Sequence, residues 1–247
     1  MREALVLDLD GTLVHTEVVD HAIVVPGRTQ NAYVSNQTVS TLFRLRRRFD
    51  IIIATARSWD GAKEVVSGLE NAGIRVSGLV LEDGALVGER TAYAPLTCEV
   101  DWQSLRHLIQ YDAIPFKWQS DFKGCLVART ETTQESTQLE RDFREILKAN
   151  LNLRVFRDGR KVYVTHARAT KLIALKTLLG DRFDTAVGVG DGFNDLCWLQ
   201  EIGTPCTFGT AVTDVVKTVT ANGGIFFTEA SHSGINKVLR EIELIHR

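Results

Sequence analysis

Hydrophobic positions along this chain alternate between short β-branched runs and stretches with helical spacing. Ala4 to Leu9 (ALVLDL) reads as a strand buried on both faces. From His15 to Ser35 the chain is polar and turn-like, with a β-rich piece at Ala22 to Val25. A helix is predicted from about Thr38, with Val39, Leu42, Phe43 and Phe49 on one face. Asp50 to Ala54 (DIIIA) predicts a second buried strand. Ser58 to Asn71 predicts a helix stopped by Gly73, and Leu79 to Leu81 a third strand.

The pattern changes from about Val87 to His166. Helices are predicted at Asp101 to Gln110 and Gln134 to Ala149, and strands at Gly124 to Arg129, Leu153 to Phe156 and Lys161 to Thr165. Arg157-Asp158-Gly159-Arg160 joins the last two as a hairpin, because Asp-Gly suits the primed turns. A hairpin means antiparallel pairing, whereas the flanking segments read as helix-wrapped parallel strands. The α/β pattern resumes with a helix at Thr170 to Leu179, strands at Thr185 to Val189 and Thr204 to Phe208, and a last helix at Ser231 to Ile245. The expected fold class is α/β: a Rossmann-like parallel-sheet core from residues 1–86 and 167–247, with an inserted α+β unit at 87–166.

A length of 247 residues fits one large domain or two unequal ones, and 44% apolar with 24% charged residues excludes wholesale disorder. Lys plus Arg total 29 against 31 Asp plus Glu, which argues against a protein that coats nucleic acid. Cys98, Cys125, Cys197 and Cys206 form no CxxC pair and have no zinc spacing, as expected of packing thiols in a reducing compartment. The N-terminal apolar run, broken by Asp8 and Asp10, is not a signal peptide, and no run is long enough to span a bilayer. The expectation is a cytoplasmic protein, monomer or homodimer, with a small-molecule partner rather than nucleic acid or a membrane.

Three of the predicted buried strands end in polar residues: Asp8-Leu9-Asp10-Gly11-Thr12, Thr55-Ala56-Arg57 and Gly190-Asp191-Gly192-Phe193-Asn194-Asp195. Parallel strands of an open sheet present their C-terminal ends along one edge, where ligands bind, so three distant clusters can meet there. Asp8 and Asp10, two apart on extended chain, suit a nucleophile paired with a general acid/base. A carboxylate attacking a phosphate dianion meets about 8 kcal/mol of repulsion at roughly 4 Å and an effective dielectric near 20. Asp8 with Asp191, and Asp195 behind, makes an all-oxygen site suited to Mg²⁺. Lys171 at a helix start would neutralise further charge, and the Thr55 hydroxyl could hold phosphate oxygens.

These motifs resemble those of the haloacid dehalogenase (HAD) superfamily phosphatases. DxDGT stands as Asp8 to Thr12, the second-motif Thr as Thr55, the third-motif Lys as Lys171 and GDxxND as Gly190 to Asp195. The insertion resembles a C2-type cap, carried by the Cof-type, sucrose-phosphate and mannosyl-3-phosphoglycerate phosphatases and by α-phosphomannomutases. Glu82-Asp83-Gly84-Ala85 is similar to the ENGA segment leading into that cap, with Asp83 for Asn, and Ala56 stands where Gly is common.

The resemblance implies Mg²⁺-dependent hydrolysis of a small phosphorylated metabolite, most naturally a sugar phosphate, through an aspartyl-phosphate. Asp8 would be the nucleophile and Asp10 the acid/base. Asp8, Asp10 (through its carbonyl), Asp191 and Asp195 would hold the metal. Thr55, Ala56, Lys171 and Asn194 would bind phosphate. Arg57, Glu82, Asp83, Gly84, Lys117, Lys123 and His166 are candidate substrate contacts. A phosphomutase of the same architecture and a non-catalytic sugar-phosphate binder are the alternatives. Asp195 suits a helix cap as well as a metal ligand, and Arg57 a solvated helix start as well as a substrate contact.

Overall fold

A computed structural model describes residues 2–26, 30–90, 92–97, 100–109 and 111–246. Cys98 and Gln110, the expected end of one helix, lie outside them. The elements in chain order are β1 (Glu3–Leu7), β2 (His21–Val25), β3 (Ala32–Ser35), α1 (Asn36–Leu45), β4 (Phe49–Ala54), α2 (Trp59–Asn71), β5 (Val76–Leu81), β6 (Leu86–Glu89) and β7 (Ala92–Pro95). Next come α3 (Trp102–Leu108), β8 (Lys117–Trp118), β9 (Leu126–Arg129), α4 (Thr133–Leu147), β10 (Leu153–Asp158) and β11 (Lys161–His166). The chain ends with α5 (Lys171–Leu179), β12 (Val187–Val189), α6 (Phe193–Leu199), β13 (Thr204–Phe208), α7 (Thr213–Ala221), β14 (Ile225–Phe227) and α8 (Ser231–Ile245).

The larger sheet has eight strands in the order β14-β13-β12-β1-β4-β5-β6-β7. It is parallel from β14 to β5 and antiparallel beyond. Alternation along β1 explains its place at the centre. Leu5 and Leu7 join the apolar layer formed with α1, α2 and α8, while Ala4 and Val6 join the layer formed with α5, α6 and α7. Both faces are covered, as parallel strands require. The chain runs outward from β1 through β4 to β5, then returns to the other side of β1 with β12, β13 and β14. The junction between β1 and β12 is thus the topological switch point, where open α/β sheets bind ligands beyond the strand ends.

The second sheet, in the order β10-β11-β9-β8, is wholly antiparallel. The Asp158-Gly159 hairpin forms where expected, with Asp158 opposite Lys161 and Gly159 at a φ of +53°. One face packs on α4 through Leu139 and Phe143, and the other turns toward Ala85 and Ala169 of the first sheet's unit.

Several boundaries differ from expectation. The hairpin β6–β7 extends the larger sheet, so the chain leaves that sheet after Pro95 rather than at residue 87. The apolar stripe expected through Phe43 and Phe49 splits, because α1 ends at Leu45 and Phe49 is buried in β4. Phe43 is 39% exposed, with the Arg46 guanidinium 3.7 Å over its ring. The segment from His15 to Ser35 carries a second strand, β3, paired with β2. Gly68 of α2 admits Ile23 from that hairpin, since a Cβ there would lie 2.7 Å from Ile23.

Candidate active site

Backbone register fixes the site before any side chain is considered. Leu7 pairs with Val189 on one side and Ile53 on the other, so Asp8, Gly190 and Ala54 are the next residues along three adjacent strands. The Asp8 amide donates to the Val189 carbonyl at 3.0 Å, and the Thr55 amide to the Val80 carbonyl at 2.8 Å. The sheet therefore delivers the three polar strand ends to one edge, as the sequence predicts.

One carboxylate oxygen each of Asp8, Asp191 and Asp195 lie within 4.8 Å of one another. Lys171, wholly buried, donates to Asp8 Oδ1 at 2.8 Å and Asp195 Oδ1 at 2.7 Å. Thr170 caps α5 by accepting from the Ile173 amide, which places Lys171 on the first turn, facing the cluster. Thr12 donates its hydroxyl to Asp191 Oδ1 at 2.7 Å. Gly11 is required by space: at a φ of +80°, a Cβ would sit 2.2 Å from Asp191 Oδ2. Gly190 likewise leaves room for Asp195, whose Cγ would lie 2.7 Å from a Cβ.

Electrostatics set the roles apart. Burial drives the Asp8 carboxyl well above its ordinary range, and Asp195 and Asp191 add to this against the pull of Lys171. Burial, with Asp195 nearby, lifts Asp191 to about 7. Three carboxylates against one ammonium leave a buried surplus of negative charge, which fits a hard divalent cation held by oxygen. Asp195 has no lone pair to spare. Its Oδ1 accepts from Lys171 and from Trp198 Nε1 (3.0 Å), and its Oδ2 from the amides of Asp191 (3.1 Å) and Gly192 (3.0 Å). It orients Lys171 and caps the 190–195 loop.

Asp10 points away from the cluster, its side chain 62% exposed at the cleft mouth. Arg57 grips it bidentately, Nε to Oδ2 at 2.7 Å and Nη2 to Oδ1 at 2.5 Å. Burial opposes its charge, but those bonds prevail and hold Asp10 below the usual carboxylate range. Arg57, a candidate substrate contact by sequence, is thus committed to Asp10. Thr55 is buried, with its hydroxyl accepting from the Arg57 amide at 3.2 Å, and half-buried Ala56 follows. Asn194 lies on the first turn of α6, half-buried.

Other expected substrate contacts stand elsewhere. Glu82 accepts from the amides of Lys123 (2.9 Å) and Gly124 (2.7 Å), tying the second sheet to the first. Asp83 is buried against Arg154 at 2.9 Å. Gly84, at a φ of +98°, lies so close to α5 that a Cβ would meet the Thr170 carbonyl carbon at 2.2 Å. Glu82 and Asp83 hold positive φ of 53° and 57°, strain that these bonds offset. The segment braces the helix carrying Lys171 rather than lining the cleft. Lys117 and Lys123 are exposed outside the cleft lining, and His166 is buried with Nδ1 accepting from the Arg168 amide at 3.1 Å. The residues that do line the cleft of about 620 Å³ beside Asp10 include Gln119, Asp121, Arg129 and Lys161. Strand register marks Arg129 and Lys161, and that requires the pairing to be known, while Gln119 and Asp121 follow β8 outside any strand.

Behind Thr12, the His15 ring donates from Nε2 to the Thr12 carbonyl at 2.8 Å and meets His232 edge-on at 4.7 Å. Burial and His232 push His15 down to about 4. Its folded value lies below the unfolded one, about 6.5, so its contribution is complete above pH 6.5 and lost as pH falls toward 4, by up to about 3 kcal/mol. Urea midpoints at pH 7 and 4.5 should therefore fall less for His15→Gln than for the parent. Equal falls would refute the assignment.

Comparison with known proteins bears on the fold. The NLI interacting factor-like phosphatase family model matches residues 3–119. A haloacid dehalogenase-like hydrolase from Bacteroides thetaiotaomicron superposes with a TM-score of 0.71 at 16% identity, covering 98% of this chain and 100% of its own. The chain has the haloacid dehalogenase-like fold. A HAD subclass IIB sugar phosphatase (TM-score 0.71, 16% identity, 98% and 99% covered) and a HAD/Cof-like hydrolase from Plasmodium vivax (0.71, 15%, 99% and 96%) share this HAD-like architecture over both sheets. No curated protein matches. Among the described residues no helix of the HAD-like fold is long and apolar enough to cross a membrane.

Proposed function

We propose that the protein is a metal-dependent phosphomonoesterase acting on a small phosphorylated metabolite, with a sugar or polyol phosphate as the expected class. The observation that carries this reading is the meeting of Asp8, Asp191 and Lys171 at the switch point, with Asp10 two residues on at the cleft mouth. Asp8 Oδ1 is occupied by Lys171, while Oδ2 accepts no hydrogen bond among the described residues. Oδ2 is the nucleophile toward phosphorus. Lys171 neutralises charge on Asp8 and on the incoming phosphoryl oxygens, and Thr55, Ala56 and Asn194 edge the phosphate pocket.

Asp8, the Asp10 carbonyl and Asp191 would hold Mg²⁺, with Asp195 behind them; the ion would supply charge to offset the roughly 8 kcal/mol of repulsion between nucleophile and phosphate. Arg57 keeps Asp10 ionised at rest, the form that takes a proton from water when the aspartyl-phosphate is hydrolysed. An arriving phosphate dianion raises the proton affinity of Asp10, which readies it to protonate the leaving alkoxide first.

The test is inorganic phosphate release across sugar, polyol, nucleotide and acid phosphates with Mg²⁺. Turnover of a small monophosphate that EDTA stops and Mg²⁺ restores is expected, with no isomeric product. Hydrolysis undiminished in EDTA would overturn the metal assignment, and accumulation of an isomer would favour a mutase.

A further inference from the structure

The second sheet presents an unusual row of charges. Lys117 pairs with Arg129, Arg129 with Lys161, and Lys161 with Asp158, so three cations stand side by side across β8, β9 and β11. Cross-strand partners share a face, and like charges placed opposite one another destabilise a sheet. Alternation identifies the face. Val127 and Tyr163, two residues from Arg129 and Lys161, pack toward Ala85 and Ala169 of the larger sheet's unit. Arg129 and Lys161 therefore hang over the cleft, opposite Asp10 and Arg57.

Three of the four acids lining that cleft are already engaged, Glu64 of α2 being the fourth. Asp10 is held by Arg57, Asp121 accepts from the Ser58 hydroxyl at 2.5 Å, and Asp60 pairs with Lys63 at 3.0 Å. Lys161 makes no hydrogen bond or ion pair among the described residues; its ammonium stands 5.7 Å from the Phe122 ring centroid. Burial pulls its proton affinity down despite Asp158 and Asp10, as expected of an ammonium withdrawn from water without a contacting counterion.

We propose that the cleft takes phosphomonoesters whose leaving group carries a second anionic group, a carboxylate or a further phosphate, and that Lys161, with Arg129 beside it, selects them. This deepens the phosphomonoesterase reading and rests on it. The transferred phosphoryl group sits at Asp8, and the second anion lies across the cleft beneath the β9–β11 row, replacing the solvent that Lys161 has lost.

Matched pairs test it: glycerol 3-phosphate against 3-phosphoglycerate for a carboxylate, and glucose 6-phosphate against glucose 1,6-bisphosphate for a phosphate. One charged member should exceed its partner in kcat/KM by tenfold to a hundredfold, the value of one charge-assisted hydrogen bond set. Lys161→Gln should erase most of that ratio, chiefly through KM, whereas Lys117→Gln, in the same row but outside the cleft, should keep it. Equal kcat/KM within both pairs, or a Lys161→Gln loss of equal size on all four compounds, would overturn the proposal. Calorimetric binding of the same pairs to Asp8→Asn, with and without Lys161→Gln, reads the preference without turnover. Absence of hydrolysis with the preference intact would refute the phosphomonoesterase reading alone, and absence of the preference in binding would refute this one.

Discussion

Asp8→Asn is expected to lower phosphate release by roughly 10⁴-fold or more, the scale seen when a covalent nucleophile is removed. The fold should survive. Asn is nearly isosteric, and the change subtracts one negative charge from a cluster where burial already disfavours it. Lys171 keeps Asp195 as its partner at 2.7 Å. Thermal melting at or slightly above the parent Tm, together with the lost turnover, separates a chemical role from a structural one. Activity above about one-hundredth of the parent would show that Asp8 does not form the intermediate.

Lys171→Met is expected to cost stability as well as turnover. Methionine fills most of the stem but leaves Asp8 and Asp195 buried without their cation, and breaking a buried pair costs about 3–5 kcal/mol. In a chain of this length that lowers Tm by roughly 10 °C. The deficit should shrink toward acid pH, because protonating the stranded carboxylates removes the uncompensated charge. Their proton affinity, raised in the folded variant, favours folding at low pH and opposes it as pH rises. Melting curves of both proteins between pH 5 and 8 check this. A deficit independent of pH would mean that lost packing, not lost charge, is responsible.

The sequence exposes the polar edge well because Asp8, Thr55 and Asp191 follow continuous apolar strands, and strands of a parallel sheet must end together. α8 is equally legible: Ile235, Val238, Leu239 and Ile242 recur at helical spacing, and all four are buried. What escapes has weak local signals. α7 (TDVVKTVTA) is rich in β-branched residues that favour strands, and only its packing on α6 and β13 makes it a helix. α6 is seven residues long, and its start is specified by the Asp195 cap rather than by periodicity. Glu82-Asp83-Gly84 invites a substrate role by resemblance, yet its positive-φ turn is spent on clamping α5. Cleft-lining residues of the second sheet are harder still, since Lys161 and Arg129 differ from any surface cation only through register between partners 32 residues apart.

The order in which the central strands appear during synthesis has a consequence for the nascent chain. β1 emerges first and can pair with β4 soon afterwards, but its other neighbour, β12, lies near the far end, and Thr12 waits for Asp191 across 179 residues. Until then β1 offers an unpaired edge to any passing strand, a template for aggregation. Ribosome-bound intermediates halted before β12 should accordingly recruit chaperones, and the acidic centre should assemble as one of the last events of folding.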